Sequence, residues 1–429
     1  MKKFYLLSFL LTIALQALAQ VWDGIAATTW TTGDGTVSNP YLIETPSQLA
    51  YLSKRVGNGD TFENQYFRLT NDLNMGDKEF PIIGKYDKST DPKTNETTDN
   101  SLYFKGVFDG NHKAIDHLLI TKAPAVTGSI AGQPVSLGGV ALFACTANSS
   151  IIRNVTIGEH SKINVDGEII GSIIGVMEGG LLENSVNLCT VSATTFGGGL
   201  VGYATGTSTI QYCANKGSVS ATGMICGGIV SQIDKTATVR GCYNVGTVTG
   251  KSYFVGGIVG ITYDGVTVKN CYETGKVTAP KSFMSTPHAI IGENDKNTAV
   301  WADNYYVEAL SGVKDDAATA LTEAELQADD AIVKLNHLLD IHAFVSDSRN
   351  INRGFPILSW EQPGVTGITS ATTEGDIVVN GRSIIGRQTV TVRDISGRVV
   401  AVGTDISLQE AGIYLVSAGK QPTMKVVVR

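Results

Sequence analysis

The chain quotes one phrase five times: Ser172-Ile173-Ile174-Gly175, Gly199-Leu200-Val201-Gly202, Gly228-Ile229-Val230-Ser231, Gly257-Ile258-Val259-Gly260 and Ala289-Ile290-Ile291-Gly292. After a short polar loop a second phrase follows: Asn184-Ser185-Val186-Asn187, Tyr212-Cys213-Ala214-Asn215, Gly241-Cys242-Tyr243-Asn244 and Asn270-Cys271-Tyr272-Glu273. Cys213, Cys242 and Cys271 are each 29 residues apart. A unit of this size cannot bury its own apolar face, so neighbouring units must stack. Apolar runs of four or five Val, Ile and Leu residues, in so glycine-rich a setting, read as short strands.

Three strands and three turns per unit describe one coil of a right-handed parallel β-helix. Asn187, Asn215 with Gly217, and Asn244 with Gly246 recur in one register, where a sharp bend calls for φ above zero. Stacking at roughly 4.8 Å would bring those Asn side chains into a hydrogen-bonded ladder. The run Gly198 to Tyr203 (GGLVGY), with Gly227 to Val230 and Gly256 to Gly260, resembles the GLUG repeat of bacterial surface and adhesin-like proteins. That resemblance implies an adhesin-like surface or extracellular protein, although some proteins that carry the repeat are proteases with their catalytic part elsewhere.

Around this centre the chain divides into five stretches: a signal segment over 1–19, a cap helix and first coils over 20–135, the repeats over 136–310, a helical cap and closing strand over 311–363, and a small β-sandwich over 364–429. The signal reading rests on Lys2 and Lys3, the apolar run Phe4 to Leu15, and Ala17-Leu18-Ala19. It implies cleavage near Ala19 and export; the family resemblances imply a Gram-negative bacterium as the source, with the protein secreted or on the cell surface. No later stretch reaches transmembrane length. Formal net charge is −7, with no basic stripe, which argues against nucleic acid as a partner. Glycine accounts for 48 of 429 residues, above the usual ~7%, as many tight turns require.

Thr45, Pro46 and Gln48 spell a helix start, with Leu49, Leu52 and Val56 on one face as a lid over the first coil. The polar stretch Lys85 to Ser101 reads as a long surface loop. Phe104 to Asn111, followed by His112, resembles the opening coil of several bacterial β-helix proteins, with His112 where a glycine is usual. Trp301 to Tyr306 reads as a degenerate last coil. Thr322 and Glu325 form a second capping box, and Asp329 or Asp330 starts a further helix whose face is Ile332, Leu335, Leu338 and Leu339. Phe355 to Trp360 closes this part, and 362–373 forms a linker. The last 55 or so residues show strands at Ile377–Asn380, Thr389–Asp394, Arg398–Val402, Gly412–Ser417 and Met424–Arg429. They resemble the immunoglobulin-like sorting domain of type IX secretion.

The residues point to no catalytic, cofactor or metal site, and the ligand-binding residues are unknown. None of His112, His117, His160, His288, His337 or His342 opens an HExxH, and neither GxSxG nor a Walker loop occurs. His112 and His117 read as structural. Six cysteines in an exported chain invite disulfides. Yet Cys213, Cys242 and Cys271 at equivalent positions would stack with parallel Cβ vectors, favouring a buried file of thiols over a bridge or a tetrahedral metal site. Cys145, Cys189 and Cys226 lie off that file.

An enzyme on this scaffold, a polysaccharide lyase or glycoside hydrolase, would need convergent carboxylates. Repeat-region candidates are Asp166, Glu168, Glu178, Glu183, Asp234, Asp264 and Glu273, with Asp234 and Asp264 in the same loop of successive coils. Asp315-Asp316 and Asp329-Asp330 are assigned to helix capping and dipole roles. A glycan-binding module would need an exposed aromatic row, for which Trp22, Trp30, Tyr203, Tyr253, Tyr263 and Trp301 are candidates. Tyr243 and Tyr272 read as a stacking pair. The expected function is a monomeric adhesin-like protein that binds a glycan or a host or matrix protein through its long faces.

Overall fold

The structure, a computed structural model, describes residues 21–362 and the strands of 377–428, apart from 92, 127–128, 131–132, 135–137, 167, 252, 281–285 and 295–297 in the first part and 381–382, 395–397, 409–411 and 419–423 in the second. The expected signal over 1–19 and nearly all of the linker over 362–373 lie outside the described residues. The chain divides into two compact units, up to His337 and from Leu338 onward.

The first unit is a parallel β-solenoid of about eight turns. Its strands line up in two ladders of nine strands, two of six and one of five. A repeat turn therefore carries five short strands, as in Val201–Thr205, Thr209–Gln211, Ala214–Asn215, Val219–Ala221 and Ile225–Gly227. This corrects the expectation of three. Extra breaks come from a left-handed residue before each third strand, namely Asn184, Tyr212, Gly241 or Asn270, with φ between 50° and 61°.

The register is the one the repeated phrases imply. Ile174, Val201, Val230, Val259 and Ile291 pair in sequence along the first ladder. Val186, Ala214, Tyr243 and Tyr272 do so along the third. Alternation then carries one row of each ladder inward. Ile152, Leu182, Ile210, Val239 and Val268 come from the second ladder, and Ile163, Val191, Val219, Val248 and Val277 from the fourth; all are buried. Each contributes about 1.5–3 kcal/mol of gross burial, set against the entropy of ordering its turn.

The turn glycines work differently from the expectation. Gly217 and Gly246 are absent from the left-handed set, as are Asn187, Asn215 and Asn244. Close approach is what excludes a side chain: a Cβ on Gly217 would sit 1.9 Å from the Cys189 carbonyl oxygen, and one on Gly246 1.9 Å from that of Gly217. Where left-handed backbone does occur, it falls partly on bulky residues, including Asn111 and His112 in succession, at φ 50° and 55°.

The N-terminal lid forms as expected. The helix Pro46–Gly57 starts with Gln48 N–H donating to Thr45 Oγ1 at 3.3 Å and Thr45 N–H to Gln48 Oε1 at 3.2 Å. Leu49, Leu52 and Val56 join the solenoid core. Residues 85–101 are not a plain loop, since Lys88–Thr90 and Thr97–Asp99 pair as an antiparallel hairpin. With no apolar side chain to mark them, these strands are held by polar contacts, including Thr90 to Thr97 hydroxyls at 3.0 Å.

At the other end, Val300–Ala302 and Tyr305–Tyr306 add the degenerate last turn. The helix Glu323–Gln327 has its Thr322–Glu325 capping box. The helix Asp329–Leu335 is preceded by Ala328, with Asp329 and Asp330 inside its first turn, and it ends before Leu338 and Leu339. Neither aspartate is the cap, and Leu338 is exposed. Asp315 serves the sheet edge instead of a helix: its Oδ2 accepts from Ile290 N–H at 2.6 Å and Ile291 N–H at 2.9 Å.

In the second unit, Phe344–Val345 pairs antiparallel with Ile357–Leu358. Ile377–Asn380, Ser383–Asp394, Val399–Ser407, Gly412–Ala418 and Met424–Val428 form one five-stranded antiparallel sheet. Val390 and Val392 are buried alongside Ile384, Ile406 and Val416, while Thr391 and Arg393 alternate with them.

Candidate functional site

Three polar arrangements lie along the solenoid, and the first is internal. Asn187 Nδ2 donates to Asn215 Oδ1 at 2.8 Å, Asn215 Nδ2 to Asn244 Oδ1 at 2.6 Å, and Asn244 Nδ2 to Glu273 Oε2 at 2.8 Å. Each Asn amide also reaches a carbonyl of its own turn, as Asn215 Nδ2 does to Gly217 O at 2.9 Å. Glu273 ends the ladder fully buried, and burial pushes its carboxyl well above its ordinary range. Beside it run Cys213, Cys242 and Cys271 in single file, buried and unbridged. Burial pushes the Cys213 and Cys271 thiols well up, so neither is poised as a nucleophile. The other three cysteines are buried and free as well, with Cys189 and Cys226 pushed up to about 12 by burial.

The second arrangement faces outward from the fourth ladder. Between the buried valines stand Lys162 and Asn164, Thr190 and Ser192, Ser218 and Ser220, Thr247 and Thr249, and Lys276 and Thr278. Asn164, Ser192, Ser220, Thr249 and Thr278 pair one to the next along the ladder. Ser220 and Ser192 hydroxyls lie 3.2 Å apart, and Thr249 and Thr278 hydroxyls 3.4 Å. The result is a patch of hydroxyl, amide and ammonium groups without a carboxylate in those rows. Its signal, a repeated small-polar, valine, small-polar triplet, is present in the sequence but becomes legible only once the register is known.

The third arrangement gathers where the 88–99 hairpin folds over the first ladder. Glu178 Oε1 and Oε2 each lie 3.0 Å from Lys88 Nζ. The Tyr103 hydroxyl sits between Glu178 Oε2 at 2.9 Å and Asp99 Oδ2 at 3.0 Å, so the two carboxylate oxygens are at most about 6 Å apart. Tyr86 adds its hydroxyl to Glu178 at 3.3 Å. Burial pushes the Tyr86 and Tyr103 phenols up, and Glu178 adds to the rise. Sequence reasoning named Glu178 alone, because its partners come from residues 75 to 92 positions away.

The remaining candidates are dispersed. Asp234 accepts from the Tyr203 hydroxyl at 2.6 Å, and Asp264 from the Thr298 hydroxyl at 2.5 Å. They occupy equivalent loops of successive coils and accept from different hydroxyls. Glu183 accepts from Gln211 Nε2 at 2.8 Å. Burial pushes Glu168 up to about 7. Trp22 and Trp30 belong to the N-terminal core, Trp30 packing on Tyr41, Tyr51, Phe62 and Phe67. Trp301 packs against the solenoid core. Tyr243 and Tyr272 stack at 4.9 Å with planes 1° apart, as the register predicts. No helix among the described residues is long and apolar enough to cross a membrane.

No family model matches the chain. A stretch of 182 residues is 30% identical to part of Halomucin from Haloquadratum walsbyi; it is 42% of this chain and spans 2% of that protein. The chain is also similar to the crystal structure of a "putative immunoglobulin A1 protease" from Bacteroides ovatus. The TM-score is 0.56 at 18% identity, over 78% of this chain and 96% of that one. At that identity the likeness carries the fold alone. It agrees with the all-β solenoid.

Proposed function

We propose that the protein is a non-catalytic, adhesin-like protein of the bacterial exterior that binds a glycan through the outward face of its fourth ladder. The observation that carries this reading is the in-register patch of Thr190, Ser192, Ser218, Ser220, Thr247 and Thr249. Hydroxyls repeating at about the strand spacing of 4.8 Å offer an ordered row of donors and acceptors to a polyhydroxylated ligand. In the same reading the repeats are GLUG-type units winding right-handed. The C-terminal antiparallel sheet is part of an immunoglobulin-like sorting domain that directs export after cleavage near Ala19. An array of glycans and matrix proteins probed with the purified chain tests the function. Binding to one or more glycans supports it; binding to proteins alone overturns the glycan assignment.

A second reading has its own observation. The Glu178 and Asp99 pair around Tyr103, its nearest oxygens at most about 6 Å apart and with Lys88 beside both, brings together charged groups of the kind that a glycosidase or a lyase uses. Release of reducing or unsaturated sugar, lost in Glu178→Gln, would establish it in place of the adhesin. A cleft of about 580 Å³ lies elsewhere, lined by Val307 to Ala309 and Ala320 to Glu325, so these carboxylates do not line it.

A further inference from the structure

We propose that His117, His160 and Asp116 form a binding site for one divalent transition-metal ion of the zinc, nickel or copper class. The two histidines come from turns of successive coils, and their rings stack with centroids 4.9 Å apart and planes 7° apart. His117 Nδ1 is 3.0 Å from Asp77 Oδ2, and His160 Nδ1 is 2.8 Å from Asp116 Oδ2. On His117 a carboxylate on Nδ1 holds the ring orientation and leaves Nε2 as the lone-pair nitrogen, whereas at His160 the ion would take the place of the Nδ1 proton shared with Asp116 Oδ2. Asp116 Oδ1 is fixed in turn by the backbone N–H groups of His117 at 2.9 Å and His160 at 3.0 Å. One ligand atom from each of the three residues lies within 4.8 Å of the others.

Capping the turn does not account for this grouping. Asp116 lies one position beyond the ladder place of Asn187, which Ile115 and Ile157 hold here, and only its Oδ1 serves backbone N–H groups while Oδ2 faces an imidazole. The histidine side chains are partly open to solvent, His160 at 57% and His117 at 32%, so an ion has access and the His160 ring has room to close on it. Two imidazoles with a carboxylate suit a borderline ion and offer too few oxygens for calcium.

Calorimetric titration of the full chain with zinc chloride tests the site, alongside His117→Ala, His160→Ala and Asp77→Asn. The expected result is one ion per chain, abolished in either histidine variant and about tenfold weaker in Asp77→Asn. His160→Ala alters the more exposed ring and keeps the test decisive if His117→Ala fails to fold. Cobalt(II) should give a visible spectrum without thiolate charge transfer. No zinc binding, binding that survives His160→Ala, or a thiolate spectrum from the cysteines would each overturn the proposal.

Discussion

Asn215 donates from Nδ2 to Asn244 Oδ1 across one turn of the solenoid, at 2.6 Å and out of reach of solvent. Removing one rung strands its neighbours. In Asn215→Ala, Asn187 Nδ2, Asn244 Oδ1 and the Gly217 carbonyl each lose a buried partner. The expected cost is about 2–4 kcal/mol, larger than for an ordinary surface Asn, read from urea unfolding. A change below about 0.5 kcal/mol would show that the ladder does not bear on stability.

Glu273 occupies the next rung and introduces a pH dependence. Its folded-state pKa is raised, so the neutral acid is the form the fold favours. The associated stability is fully present below the ordinary carboxyl value of 4.5 and is lost as pH rises through the folded value. Glu273→Asn restores the repeat residue, which remains neutral. It should melt higher than the parent at pH 8, by about 1–2 kcal/mol, with a smaller or reversed difference at pH 4.5. An equal difference at both pH values would contradict the assignment.

Gly228 has an ordinary backbone and still tolerates no side chain. A Cβ there would lie 1.9 Å from the Gly257 carbonyl oxygen and 2.7 Å from Asn244 Cγ. Gly199 meets Gly228 in the same way, at 1.9 Å. Gly228→Ala is therefore expected to lose about 3 kcal/mol or more, because the neighbour is backbone on the next turn and cannot rotate away. A soluble variant with an unchanged melting curve would refute this close approach.

All six thiols are buried and free. An aromatic disulfide reagent should find none in the native protein and all six after denaturation, with no change when a reductant is supplied first. Fewer than six in the unfolded chain would mean that a bridge forms.

The solenoid was legible because its evidence repeats. Equivalent residues such as Val201, Val230 and Val259 have to meet when the units stack, and they do so in the register read from the text. The lid helix was legible as well, since Thr45, Pro46 and Gln48 act within a few residues of one another. Features that depend on backbone proximity across turns were not. Nothing local distinguishes a glycine needed for left-handed backbone from Gly217, which is needed because another chain segment passes within 1.9 Å of its missing Cβ. The 88–99 hairpin lacked an apolar pattern, and its ties to Glu178 span some ninety residues. His117 and His160, 43 positions apart, likewise become neighbours only through the stacking of coils.

The most direct measurement compares glycan affinity of the full chain with that of a Ser192→Glu, Thr249→Glu double variant, each protein first shown to have the same melting curve. The two sites stand on one outward row with Ser220 between them. The account predicts affinity at least tenfold weaker in the variant, about 1.4 kcal/mol. Equal affinity in both proteins would contradict recognition by the fourth-ladder face.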